Sequence, residues 1–562
     1  MVPELTPFEK LISFTRTSAA SYVNSAGNVV TTPASKNLLT FTEEFDNVAW
    51  TKSNATVTAN SVAAPDGLMT ADTLVEDSVN GIHAVQQSAT LSAVVHTLSV
   101  YLKAGTRSWA QILNGTIANG FAYFDLANGA VGNVGAGVSA TSIVSAGDGW
   151  YRCSITFTAS SGGNISAIRA ASVNGSASYA GTTSAAAIHL WGAQLELGST
   201  ATSYVRNFGG LFPPRFDYDP VTLQPRGLLI EEQRTNLLLR SEEFDNASWV
   251  KAAATVTANA AVSPDGTMDA DKLIATVANS QHRVDFATTS AAATHAFSVY
   301  AKPAGYNFLF IRLGMNGGYV NLSDGTIAGV TSGYTLTATP AGNGWYRVVL
   351  VGAAALNEAA RINVTETVTS DFAGDGTSGI FIWGAQLEAG SFATSYIPTA
   401  GSQVTRTADQ AGIVAPNFAP WYNQNEGTLV AEFSSLMPTA ASQFAWTISN
   451  GTSDERWCLF MASSTLRHFM ADGGTTQASI DAGTYAANTV FKSAMAIKAN
   501  SVQAAINGVL GTEDTAATLP TVDRLFLGAA HSGATNFLSG HIRRISYYPS
   551  RLSNAQLQAL SA

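Results

Sequence analysis

Along much of this 562-residue chain, apolar and polar side chains alternate one for one. Leu98, Val100 and Leu102 alternate with Ser99, Tyr101 and Lys103; further on, Phe297, Val299 and Ala301 alternate with Ser298, Tyr300 and Lys302. A period of two puts successive side chains on opposite faces, so each stretch predicts a half-buried strand. Tyr151, Cys153, Ile155 and Phe157 make another such face in "YRCSITF". No segment from 37 to 400 sustains a helical period. Strand-like runs separated by Gly, Asn and Pro predict β-sandwiches.

The pattern is written twice. "NLLTFTEEFDNVAW" from Asn37 returns as "NLLLRSEEFDNASW" from Asn236, 199 residues later, with nine of fourteen positions identical. "APDG" at Ala64 answers "SPDG" at Ser263, "HTLSVYLKAG" at His96 answers "HAFSVYAKPAG" at His295, and "GWYR" occurs at Gly149 and Gly344. "LWGAQLELGSTATSYV" from Leu190 answers "IWGAQLEAGSFATSYI" from Ile382. A spaced series of matches with a slowly shrinking offset predicts a duplicated domain with short loop deletions. Phe45, Trp50, Trp150 and Trp191, with Phe244, Trp249, Trp345 and Trp383, are expected to be the core anchors of the two copies. Glu43, Glu44 and Asp46, and their counterparts through Asp245, are expected to shape the first turn or to hold a structural cation such as calcium. His96 and His295, each just before a strand, read as structural.

A different texture follows. "GTLVAEFSSL" alternates Leu429, Ala431 and Phe433; "FKSAMAIKANSVQAAINGVLG" reads as two strands closing on an Asn507-Gly508 turn. "DRLFLG" and "GHIRRISYY" add two more. In "RLSNAQLQAL", Ser553 and Gln556 form a capping box, with Leu552 and Leu557 as a hydrophobic staple, predicting one short terminal helix. The expected fold is all-β: three consecutive sandwiches of jelly-roll or concanavalin-like type. The boundaries are a leader at 1–36, sandwiches at 37–206 and 236–400, linkers at 207–235 and 401–416, and a last sandwich at 417–562.

Composition narrows the chemistry. Charged residues make up only 12% of the chain, and the net charge is −10. No basic run offers a phosphate-binding surface, which argues against nucleic acid. No apolar stretch is long enough to span a bilayer as a helix, and the N-terminus does not read as a secretory signal. Cys153 and Cys458 read as buried small hydrophobes, not as a metal site or a disulfide framework. No zinc-binding histidine spacing, nucleophile elbow or phosphate-binding loop occurs. No paired carboxylates of the glycosidase kind are evident. No enzymatic activity and no cofactor are expected.

The linked phrases "NLLxxxEEFDNxxW" and "WGAQLExGSxATSYIPT" resemble the jelly-roll, carbohydrate-binding-module-like domains of bacteriophage tail fibre and minor tail proteins. "SFTRTSAASYVNSAGNVV" from Ser13 resembles their leader, and "PRFDYDPVTLQPRGLLIEEQRTNLL" from Pro214 its continuation; here the first sandwich stands between the two. The segment from "NGVLG" to the C-terminus is similar to laminin G or concanavalin-like domains of the same proteins. The resemblance implies a non-enzymatic virion protein, a tail fibre or tail-tip component binding host surface glycans. A capsid decoration, head fibre or tail scaffold without glycan binding is the alternative, and a polysaccharide depolymerase a third. Self-association as a trimer, attachment to virion proteins through the leader, and an outward C-terminal tip are expected.

Sandwich lectins stack aromatic rings on sugars and hydrogen-bond the hydroxyls. Trp109 and Tyr123 in the first copy, and Phe308 and Tyr319 in the second, are therefore the candidate glycan contacts. His468, Asp472 and His531, read as loop residues, are the candidates in the last domain.

Overall fold

The computed structural model describes residues 12–32, 36–207, 209, 212–288, 290–369, 371–414, 417–438 and 442–562. Residues 1–11 and 33–35 of the expected leader lie outside them. The chain forms two compact units: Met1–Thr17, Pro33–Pro213 and Ile413–Pro420 make the first, and Ser18–Thr32, Pro214–Gly412 and Trp421–Ala562 the second.

The first unit holds one antiparallel sandwich. One sheet runs, in spatial order, Ala130–Val134, Phe121–Asp125, Trp109–Asn114, Gly162–Ala171, Ala84–Leu91 and Thr51–Ser53. The other runs Ala140–Gly147, Trp150–Thr158, Val95–Ala104, Ala185–Leu197, Ala71–Glu76 and Ala55–Val62. The alternation explains the core: Leu98, Val100 and Leu102 of one sheet meet Ala110, Ile112 and Ile168 of the other, all buried.

The second unit contains a sandwich with the same strand order. Val250–Ala252, Asn279–Phe286, Ala360–Thr365, Phe308–Leu313, Asn316–Asn321 and Ile327–Val330 form one sheet. Ala254–Ala261, Ala270–Ala275, Gly379–Ala389, Ala293–Ala304, Tyr346–Ala354 and Thr335–Pro340 form the other. Several anchoring bonds of the first sandwich recur in the second. The Trp50 indole donates to the Phe41 carbonyl at 3.0 Å, and Trp249 to the Arg240 carbonyl at 3.0 Å. Phe41 and Arg240 both take positive φ, 50° and 54°. Neither is a residue that prefers that region, so the indole bond and the turn it closes hold the strain in place. Trp150 and Trp345 donate to Ala63 and Val262. Asn37 bridges the carbonyls of Ala193 and Val205, as Asn236 bridges those of Ala385 and Ile397.

The C-terminal sandwich does not begin at 417. Phe216–Tyr218 and Pro225–Ile230 form the edge of one of its sheets, followed by Gly540–Tyr548, Glu426–Ser435, Phe491–Lys498, Ser501–Ile506 and Val509–Leu510. In the facing sheet Gln410–Ile413 pairs with Arg524–Leu527, followed by Gln443–Ser449, Arg456–Ala462, Thr465–Asp472 and Thr475–Thr484. The segments expected as linkers at 207–235 and 401–416 therefore supply strands, although residues 208, 210, 211, 415 and 416 lie outside the described set. The helix Asn554–Leu560 carries the capping box from Ser553 and Gln556, and packs Leu557 on Val430, Ala494 and Ala505.

These crossing segments meet at a cluster of charges. Arg215, Glu231, Arg406 and Asp409 are all fully buried. Arg215 contacts Glu231 at 2.7 Å and also pairs with Asp409, while Arg406 lies 3.0 Å from Glu231. Arg215 further donates to the Ser21 carbonyl and Ser395 hydroxyl, both at 2.8 Å. Glu231 accepts from the Ser395 backbone N–H and hydroxyl, each at 2.7 Å. Two cations face two anions, so the cluster is neutral as a whole while each member depends on the others. The hairpin Ser21–Val23 and Val29–Thr31 is tied here; the Val23 N–H donates to Asp217 at 2.7 Å, and Val29 joins a buried group with Tyr300, Trp345, Trp383 and Tyr396.

Burial alone would push the Glu231 carboxyl up, but Arg406 and Arg215 outweigh it and hold it well below the usual carboxylate range. A depressed folded-state pKa gives stability that is present above the ordinary value of 4.5 and is lost as pH falls below it. Glu231→Gln leaves two buried guanidinium groups short of a counter-charge, so a loss of about 3–5 kcal/mol is expected in denaturant unfolding at neutral pH. The melting temperature of the variant is also expected to fall less steeply than that of the parent as pH drops below 4.5.

Candidate functional site

Strand alternation that sends Ala110 and Ile112 inward sends Trp109, Gln111 and Leu113 to the opposite face of the same sheet. Cross-strand register builds three rows on that face. In the first copy they are Asp125–Trp109–Ala171, Tyr123–Gln111–Arg169–Ala84 and Phe121–Leu113–Ala167–Gln86. In the second they are Asn321–Phe308–Thr365, Tyr319–Phe310–Asn363–Arg283 and Gly317–Arg312–Arg361–Asp285. The inward rows between these are apolar in both copies apart from the buried His282, whose ring nitrogens meet the Ala253 and Phe372 carbonyls. The outward rows have been rewritten, and this is where the copies differ in chemistry.

On the first face Trp109 and Phe121 pack half-buried around Tyr123, with Ala171 and Ala177. Tyr123 itself is only 5% exposed beneath Ala177, so it supports this cluster and offers little ring surface. Arg169 donates to Gln111 at 3.1 Å. A shallow depression of about 250 Å³ lies beside them, lined by Ile82, Tyr123, Arg169 and Gly175 to Ser178. A larger groove of about 690 Å³ along Gln86 to Thr90 has no aromatic lining.

On the second face Phe310 and Tyr319 lie ring on ring, 4.1 Å apart and 3° from parallel. The Arg312 guanidinium stacks 5.2 Å above the Phe310 ring and donates to Gln281 at 3.1 Å. Asn363, between Phe310 and Arg283 in the register, is fully buried, and neither its amide nitrogen nor its amide oxygen has a hydrogen-bond partner among the described residues. A buried amide with both ends unmet is costly, and at 0% exposure it lies beneath the face and offers a ligand no surface of its own. Aromatic rings, amides and guanidinium groups on one sheet face can stack on a pyranose ring and pair with its hydroxyls or acidic substituents.

The structure thus brings Trp109 and Tyr123 together, while Phe308 and Tyr319 stand in neighbouring rows of one face, Tyr319 stacked on Phe310. Sequence reasoning passed over Phe310, Arg312 and Asn363, although alternation in "NFLFIRLG" puts Phe308, Phe310 and Arg312 on one side. The C-terminal candidates do not form a site. His468 lies within the strand Thr465–Asp472, not in a loop, and is fully buried beside Leu466 and Met470, so it presents nothing to a ligand. Asp472 ends that strand and accepts from the Thr518 hydroxyl. His531 lies on a turn after Arg524–Leu527 and takes a bond from Arg456 at 3.4 Å.

The glutamates of the opening phrase are occupied by the protein itself. Glu43 and Glu44 face Arg206 at 3.3 and 3.6 Å, and Glu242 accepts from Tyr396 at 2.8 Å. Asp72 and Asp271, unremarked in the sequence, accept the backbone N–H groups of Phe45 and Phe244. Burial pushes the Asp271 carboxyl up to about 6. No group of three or more His, Cys, Asp or Glu residues that could hold a metal ion occurs among the described residues. The eight anchor residues are all buried. Trp191 and Trp383 each sit in a three-ring cluster, with Tyr101 and Tyr204 or with Tyr300 and Tyr396.

No protein-family model matches the chain, and no curated protein does either. Among solved structures, the CBM40 of Ruminococcus gnavus IT-sialidase bound to α2,3-sialyllactose is similar over 27% of this chain and 93% of its own, at 18% identity and a TM-score of 0.24. The CBM22-1-CBM22-2 tandem of Paenibacillus barcinonensis Xyn10C is similar over 64% of this chain and 98% of its own, at 13% identity and a TM-score of 0.19. Domains LG4-5 of the mouse laminin α1 chain match over 50% of this chain and 89% of their own, at 9% identity and a TM-score of 0.19. At such identities and TM-scores these likenesses carry no argument about ligand or activity.

The buried His468 generates its own test. Neither ring nitrogen has a partner among the described residues, and burial lowers its pKa to about 3. In the unfolded chain the imidazole protonates as pH falls below 6.5, while in the fold it stays neutral. The unfolded state binds more protons in that window, so stability is lost as pH falls from 6.5 toward 3. His468→Leu removes two unmet polar atoms and is expected to gain on the order of 1 kcal/mol at pH 7. It is also expected to flatten the fall in melting temperature between pH 6.5 and 4, measured by calorimetry against the parent protein.

Proposed function

We propose that this chain is a non-catalytic, glycan-binding component of a tailed-bacteriophage virion, a tail fibre or tail-tip protein whose two repeated sandwiches read sugars on the host surface. The carrying observation is the pair of equivalent sheet faces. On an invariant core framework, each presents aromatic side chains beside amide and guanidinium groups, and the second leaves the Asn363 amide unmet. The virion assignment is supported by the linked sequence phrases at Asn37, Leu190, Asn236 and Ile382 and by the leader at Ser13. Shallow sites of this kind bind weakly one at a time, so two copies per chain and trimerisation on a virion would provide avidity.

Under this reading the glycan-contacting part is the repeat, while the C-terminal sandwich serves architecture. An array of bacterial surface glycans probed with the full-length chain is expected to give binding without release of reducing ends. Tyr319→Ala combined with Phe310→Ala is expected to lower the array signal at least tenfold while the melting temperature shifts by only a few degrees. Unchanged binding in that variant, or binding to no glycan, overturns the reading; release of reducing ends would make the chain a depolymerase.

A further inference from the structure

The two sheet faces share their geometry but not their charge. Where the first copy has Ala84, Gln86, Leu113 and Ala167, the second has Arg283, Asp285, Arg312 and Arg361 at the same register positions. Three guanidinium groups have been introduced together with one carboxylate, in a chain whose net charge is −10. Asp285 is already engaged. It takes both oxygens to Arg283 Nε, at 3.0 and 2.9 Å, and lies 3.4 Å from Arg361 Nε. Asp371 stands at the rim, paired in register with Gln281.

Arg312 is left without an anion. It is only 4% exposed and among the described residues makes no direct ion pair; Asp285, held by Arg283 and Arg361, acts on it only from farther off, while those two arginines repel it. Its two terminal nitrogens reach Gln281 and the Met315 sulfur, and its Nε has no partner. A nearly buried cation with only neutral acceptors is an expensive arrangement that an arriving anion relieves. The guanidinium sits over Phe310, 5.2 Å from its centroid, and a guanidinium fork suits a planar carboxylate. The unmet Asn363 amide lies one row away, buried beside Phe310.

We infer that the outward face of the second sandwich takes a carboxylate-bearing saccharide, with Arg312 receiving the carboxylate and Phe310 and Tyr319 packing the ring. The first sandwich carries one carboxylate, Asp125, and one guanidinium, Arg169, across its three rows and lacks this cluster of arginines. The inference rests on the glycan-binding reading above and adds the charge class of the ligand.

The test uses the full-length chain on an array in which each acidic bacterial oligosaccharide is printed beside its carboxyl-reduced counterpart. The expected result is binding to at least one acidic oligosaccharide that falls tenfold or more on carboxyl reduction. Arg312→Gln, which keeps a polar group near Gln281, is expected to erase that difference, and Arg361→Gln to reduce it. Trp109→Ala is expected to leave it intact. Circular dichroism melts of each variant separate lost binding from lost folding, and the Arg361 variant keeps the test open should Arg312→Gln not fold. Binding that ignores carboxyl reduction overturns the acidic assignment while leaving glycan binding in place. Binding to no glycan overturns both. A carboxylate preference that survives both arginine substitutions shows that the acidic site lies elsewhere and overturns the inference.

Discussion

A neutral quartet of buried charges holds the second unit together. Arg215, Glu231, Arg406 and Asp409 come from sequence positions almost 200 residues apart, and each is removed from water. Burying one such charge alone would cost several kcal/mol, so none of them is tolerable until the others arrive. That condition makes the quartet a register device. The N-terminal hairpin, the strands at 216–230, the tail of the second sandwich at Ser395 and the segment leading into the C-terminal sandwich all bond to it. The orphan strands Phe216–Tyr218 and Pro225–Ile230 can then join Gly540–Tyr548, so the C-terminal sandwich is completed by residues that precede the second one.

The same logic separates what is fixed in the repeat from what is free to change. Indole, amide and carboxylate groups that satisfy backbone atoms recur at matching places: Trp50 with Trp249, Asn37 with Asn236, Asp72 with Asp271. Each meets a buried backbone group that would otherwise be unpaired, so replacement is costly. The outward rows of one sheet carry no such duty. Ala84 against Arg283, or Gln111 against Phe310, changes nothing in the core, and a duplicated scaffold can present two different surfaces.

Much of this was legible in the sequence. Period-two alternation and the twice-written phrases gave the strands, the duplication and the aromatic anchors, because those signals are local or repeat at a fixed spacing. The helix at Asn554–Leu560 was readable from Ser553 and Gln556 for the same reason. The quartet was not, because nothing near Arg215 marks Asp409 as its partner, and the segments holding them looked like linkers. The expectation of a loop at His468 overlooks the alternation of Leu466, His468 and Met470 in "TLRHFMAD", which marks a strand. On the candidate faces, Trp109 and Tyr319 drew notice as aromatics. Arg312 and Asn363 did not, because their significance lies in what they lack, and a missing partner is visible only once the neighbours are in place.

The central claim is that the repeated sandwiches, through the outward face of one sheet, are the sugar-reading part of the molecule. Hydrogen–deuterium exchange on the full-length chain, with and without the glycan selected on the array, tests it most directly. The account predicts slowed exchange in Phe308–Leu313, Asn316–Asn321 and Ala360–Thr365, or in the equivalent strands Trp109–Asn114, Phe121–Asp125 and Gly162–Ala171. Protection confined to the C-terminal sandwich between 421 and 562, with those six strands unchanged, would contradict it.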